Sequence, residues 1–143
     1  MKISFHTFNP FYLCFLFALP SYAAINWTEV DPSDSRKFSF FYDASSITKQ
    51  GNIASIKTLK NFKEPQNSVD PNKPYTFMSK TTLQEIDCSK NKYRNREISM
   101  WSKEGGEGKL EQSHNYGQDT SWGKWVKTTS IESVLVSKAC RGS

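Results

Sequence analysis

Apolar and polar residues alternate with a period of two along most of this chain, the pattern of strands that bury one face and wet the other. Residues 25–30 (Ile25-Asn26-Trp27-Thr28-Glu29-Val30) form the first such stretch, and the polar Asp31-Pro32-Ser33-Asp34-Ser35 ends it. A second, aromatic-rich strand is predicted over 37–42 and stops at Asp43. Over 43–47, Asp43, Ser45 and Ser46 can bond their own downstream backbone, which predicts a tight turn. Gly51 opens a third strand, 53–62. Pro65, Pro71 and Pro74 then mark 63–74 as a surface loop, because proline cannot donate to a sheet ladder. Two longer strands, 75–87 and 92–102, are joined through Cys88-Ser89-Lys90-Asn91. Gly105, Gly106 and Gly108 mark another turn, 109–115 reads as a sixth strand, and 116–124 is a glycine-containing loop.

The period changes from 2 to 3.6 only near the end. Ser130 is placed to cap a helix, with Glu132 in its first turn and Lys138 and Arg141 in its last, all favourable to the helix dipole. Ile131, Val134 and Leu135 share a face at helical spacing. Cys140, nine residues after Ile131, falls on the opposite side of an ideal wheel. Such a helix is expected to be gripped from two sides or to fray in its last turn. One amphipathic helix beside an antiparallel sheet is an α+β domain.

The first 23 residues break the strand pattern. Lys2 and a short polar lead precede the nine-residue apolar run 11–19, then Pro20 and the small residues Ser21 and Ala23. This is the form of a cleaved signal peptide, and the run falls well short of the about 20 residues that span a bilayer. Residues 24–143 then form one domain. Lipidation of Cys14 is not expected, since Tyr12-Leu13 precede it where small residues are needed. Removal of the signal leaves two cysteines, Cys88 and Cys140, and so a single possible intramolecular pairing. An exported chain meets an oxidising compartment. A Cys88–Cys140 bond closing some fifty residues is worth roughly 4 kcal/mol in the chain-entropy account. The net charge, +5 overall and +4 without Lys2, is mildly basic and suits anionic partners without requiring nucleic acid.

A set of residues spread over nearly all of 24–143 resembles the surface-adhesin protein E family of Gram-negative bacteria. It runs through Trp27 and Val30, Tyr42-Asp43, Ser46-Ile47 and Gly51. It continues with Phe62, Pro65-Gln66, Tyr75, Ser79-Lys80, Asp87-Cys88 and Arg94, and closes with Trp125, Ser130, Glu132, Val136 and Cys140. The resemblance implies a six-stranded antiparallel sheet with the C-terminal helix laid on one face by a Cys88–Cys140 disulfide. It also implies a non-enzymatic binding function, because the family's named member is a lipid-anchored adhesin for host matrix and plasma proteins. The chain departs from the family at the missing lipidation motif. It departs again at Lys127-Thr128-Thr129-Ser130, where a Pro-Gly-Ser cap is usual.

Chemistry-bearing constellations are sparse. His114 is the only histidine after the signal, so no histidine-rich metal site can be built, and no nucleophile-elbow motif supports a triad through it. No cofactor is expected. The Asn26-Trp27-Thr28 sequon is a coincidence in a bacterial protein. The sharpest candidates are Lys90, Lys92, Arg94 and Arg96, which point to one side of a regular strand. Two readings stand: a basic stripe for an anionic partner, or a solvated strand protected by charge, with Arg94 structural. Ile98 and Met100 share the same parity, so only a bulge or twist would separate them from the stripe. Tyr116 and Trp122 lie on the glycine-containing loop and are candidates for a stacking platform, while Trp125 reads as a core plug.

The expected function is an exported, non-enzymatic protein that binds a protein or an anionic glycan or envelope component. It is expected in the periplasm, at the cell surface or secreted, with no lipid anchor, transmembrane segment or nucleic-acid partner. The alternative is a periplasmic accessory protein of the envelope with no host contact. The residues do not specify an oligomeric state.

Overall fold

The computed structural model describes residues 25–30, 37–117 and 131–141. Six strands form one antiparallel sheet in chain order: β1 (Trp27–Glu29), β2 (Phe38–Gln50), β3 (Ile53–Asn67), β4 (Thr76–Asp87), β5 (Lys92–Trp101) and β6 (Leu110–Asn115). Every neighbour in the sheet is also a neighbour in sequence, so no crossover is needed. Among the described residues one α-helix, α1 (Ile131–Arg141), packs on one face, and a 3₁₀ turn (Glu104–Gly106) folds onto the other. The α+β architecture read from the sequence is the one observed. Residues 1–23, expected as a signal peptide, and Ser130, Trp122 and Trp125 lie outside the described residues.

Alternation sorts the strands into two faces. On the helix side, Phe40, Tyr42, Ala54, Ile56 and Ile86 pack with Leu135 and Ala139 into one buried cluster. Val134, expected on the inner face, is not part of this cluster, whereas Val136 packs against it. The helix buries the half-cylinder centred between Leu135 and Ala139, and Ile131 and Cys140 are its two rims. That is why two residues half a turn apart both touch the sheet without fraying. Cys140 is bonded to Cys88 with Sγ atoms 2.10 Å apart, and the Lys49 ammonium donates to the Cys140 carbonyl at 3.0 Å. A cation on the orphan carbonyls of a helix C-terminus is favourable.

Two connections differ from expectation. The 43–47 turn does not end β2, which continues to Gln50 through a break in register between Asp43 and Thr48. Asp43 Oδ1 accepts the Ser45 N–H at 2.9 Å and its hydroxyl at 2.6 Å, and Ser46 Oγ accepts the Lys57 N–H at 2.8 Å. The local side-chain bonds expected of a turn therefore stabilise a bulge inside a strand, with a serine filling the gap in the ladder. Residues 63–67, expected in a loop, extend β3. Pro65 is tolerated because register is lost between Asn61 and Gln66, where no N–H is required for the ladder.

The far face is partly covered by the β5–β6 connection. Gly105 and Gly106 donate their N–H groups to Asn61 Oδ1 at 2.8 Å and Ser79 Oγ at 3.0 Å. Gly106 has φ +75°, and a Cβ there would stand 2.8 Å from Thr81 Cγ2, so glycine permits both the conformation and the close approach.

Candidate functional site

The basic residues of β5 are brought together, though not as a free stripe. Register pairs Lys92 with Asp87 and Arg94 with Glu85. A bulge then places one extra residue, Arg96, between Asn95 and Glu97, against Leu83 and Gln84 of β4. This shift moves Ile98 and Met100 to the helix side and leaves Arg96 beside Arg94, which resolves the parity conflict in the sequence.

Both guanidinium groups converge on one carboxylate. Arg94 Nε donates to Glu85 Oε2 at 2.7 Å, with its Nη2 2.6 Å from the same oxygen, and Arg96 Nε lies 3.6 Å from Oε1. The two side chains are only 14% and 16% exposed. Arg96 Nη1 is buried without a hydrogen-bond partner. Glu85 was not among the expected site residues. Its position opposite Arg94 depends on strand register, which no single stretch of sequence displays.

Lys90 stands apart from this network. It lies in the β4–β5 turn, its side chain is 67% exposed, and its Nζ is 3.9 Å from Asp87 Oδ2. The turn is rigid. Asp87 Oδ1 accepts the Ser89 hydroxyl at 2.6 Å, the Ser89 N–H at 3.0 Å and the Lys90 N–H at 3.2 Å. These bonds, led by the Ser89 hydroxyl and opposed by burial, hold the Asp87 carboxyl below the usual aspartate range. Asn91 closes the turn at φ +49°, a conformation that asparagine tolerates.

Tyr116 joins the same end of the sheet. Its N–H donates to the Arg96 carbonyl at 2.9 Å, and its ring, 43% exposed, stacks on His114 with centroids 6.3 Å apart. The imidazole also lies near Gln112, with nitrogens 3.5 Å apart. Of the expected candidates, Arg94, Arg96 and Tyr116 are thus brought together, Lys90 is not, and Trp122 lies outside the described residues.

Two further concavities were not anticipated. On the far face, Trp27, Leu83 and Trp101 line a groove of about 360 Å³ together with Thr81 and Gly106, and the Trp101 indole donates to Thr81 Oγ1 at 2.9 Å. On the helix side, Lys60, Lys80 and Glu132 line a smaller cavity of about 130 Å³. Among the described residues, no group of three histidine, cysteine or acidic side chains could hold a metal ion. No described helix is long and apolar enough to cross a membrane.

No curated protein matches the chain. The family described as surface-adhesin protein E matches residues 27–141, from the first strand to the last residue of α1. The match covers the whole sheet, both disulfide cysteines and the helix, and the chain therefore belongs to the surface-adhesin protein E family.

Proposed function

We propose that the protein is exported, loses residues 1–23 as a signal peptide, and acts without catalysis by binding a macromolecule at the Gram-negative envelope or beyond it. The membership of residues 27–141 in an adhesin family carries this reading. The partner is a protein or a glycan with anionic character. The contact surface is the end of the sheet bearing Lys90, Lys92 and Tyr116.

Physical features of that end support the choice. Lys90 projects from a turn held by three hydrogen bonds to Asp87, so its backbone is already ordered when it meets a partner. Tyr116, hydrogen-bonded through its N–H to the Arg96 carbonyl, supplies an exposed amphipathic ring, a residue type favoured at recognition surfaces. Arg94 and Arg96 shape this surface by anchoring β5 to β4 through Glu85.

The reading is tested with Lys90→Glu and Tyr116→Ala in the mature chain, measuring binding to heparin as a sulfated-glycan probe and to envelope proteins captured from the source cells. Salt-sensitive binding that weakens in both variants supports it. Binding unaffected by either substitution contradicts it.

A further inference from the structure

Lys60 on β3 and Lys80 on β4 are directly opposed partners in the antiparallel register, on the helix side of the sheet. Like charges directly opposite in a sheet repel, and lysine ammonium groups ordinarily extend into water. Here both stems are partly buried, and both side chains line one cavity of about 130 Å³. The Lys60 ammonium lies 4.1 Å from the Phe38 ring centroid and 5.4 Å from that of Phe40. Those rings favour a cation but accept none of its hydrogen bonds in the ordinary sense. Among the described residues, neither lysine has an ion pair or a hydrogen-bond acceptor.

The rest of the wall is polar. Thr82 and Gln84 come from β4 and Asn95 from β5. Gln84 Nε2 donates to Asn95 Oδ1 at 3.1 Å, an arrangement that leaves the Asn95 amide protons available as donors. Among the described residues, one carboxylate, Glu132 in the first turn of α1, and one phenol, Tyr93, complete the ionisable groups facing the space. Two ammonium groups against one carboxylate leave the cavity net positive. Burial holds both lysines below the usual ammonium range; for Lys60, Lys80 adds to this and Glu132 partly offsets it.

We propose that this cavity is an anion site, in which one tetrahedral oxyanion, a phosphate or sulfate group, sits between the Lys60 and Lys80 ammonium groups. The anion would supply the acceptors that both ammonium groups lack and would remove the cross-strand repulsion. Asn95 is placed to donate a further hydrogen bond, and Glu132 limits the site to groups that outcompete a single carboxylate. The site lies on the opposite face from Arg94 and Glu85, because successive strand residues alternate sides, and it does not depend on the surface proposed above.

The test titrates the folded mature chain with inorganic phosphate, inorganic sulfate and glucose 6-phosphate, each at fixed ionic strength balanced with chloride. Backbone amide NMR shifts of Thr82, Gln84 and Asn95 are followed in the wild type, Lys80→Met, Lys60→Gln and the control Lys90→Gln. Saturable shifts in the wild type and in Lys90→Gln are expected, with affinity reduced about tenfold or more in Lys80→Met and Lys60→Gln, in line with loss of one charge-assisted bond. Binding of all three ligands identifies a terminal monoester as an acceptable source, and binding of the inorganic ions alone identifies a free ion. Absence of saturation in the wild type, or equal shifts in Lys80→Met, overturns the proposal, since sulfate and phosphate also act on proteins through general exclusion from the surface.

Discussion

Glu85 on β4 and Arg94 on β5 are cross-strand partners joined by Nε at 2.7 Å and Nη2 at 2.6 Å, and Arg96 shares the same carboxylate. Half of a basic run that shares one side of a strand in sequence is thus an ion-pair network within the fold. Removing the shared anion leaves two poorly exposed guanidinium groups facing each other. Glu85→Gln is expected to destabilise the fold by about 2 kcal/mol, below the range for fully buried pairs because all three side chains keep some contact with water. Urea denaturation measures this, and an unchanged midpoint contradicts it.

The Cys88–Cys140 bond spans 52 residues and fastens α1 to the β4–β5 turn. Its removal by the double substitution Cys88→Ser, Cys140→Ser is expected to cost about 2–4 kcal/mol. Loss of helix packing should appear first at Leu135 and Ala139, the buried centre of the helix. Amide hydrogen exchange along α1 checks this: protection equal to that of the oxidised protein would show that packing alone holds the helix.

The lysine pair carries a pH dependence of definite sign. Lys60 and Lys80 are held below the ordinary ammonium range in the folded state. In the window between the folded and unfolded values, the unfolded chain binds more protons, so stability rises with pH. At neutral pH both groups still bear the cost of partly buried charge. Lys80→Met is expected to raise the melting temperature at neutral pH and to flatten the rise toward alkaline pH. A lower melting temperature for this variant across the whole range contradicts the account.

Asp87 behaves in the opposite sense. Its carboxyl lies below the usual aspartate range because it accepts bonds from Ser89 and Lys90, so its stabilising effect is present above the unfolded value and is lost as pH falls through the folded one. Asp87→Asn is expected to weaken the turn at neutral pH and to reduce the loss of stability on acidification below about pH 4. Thermal melts from neutral to acidic pH measure both effects, and parallel profiles for variant and wild type would contradict the assignment.

What the sequence revealed and what it concealed divide along physical lines. Strand alternation, the terminal helix and the cysteine pairing were legible because each depends on local period or on counting. Pro65 inside β3 was not, since its tolerance depends on a register break against β4. Glu132 reads in sequence as a helix-dipole partner, yet it faces the sheet beside Lys60 and Lys80 because the inner half of the helix is centred near it. The candidate surface was legible in composition but not in pairing. Lys90 remains exposed, while Arg94 and Arg96 are committed to a glutamate 9 and 11 positions earlier in the chain.

On the proposed reading, recognition and architecture are divided at this end of the sheet, with Lys90 serving the partner and Glu85 serving the fold. It is tested most directly by measuring heparin affinity and unfolding midpoint together for wild type, Lys90→Glu and Glu85→Gln. Lys90→Glu is expected to weaken binding severalfold with the midpoint almost unchanged, in keeping with an exposed charge. Glu85→Gln is expected to lower the midpoint while the folded fraction still binds. Full binding by Lys90→Glu, or a lowered midpoint in that variant equal to that of Glu85→Gln, would contradict it.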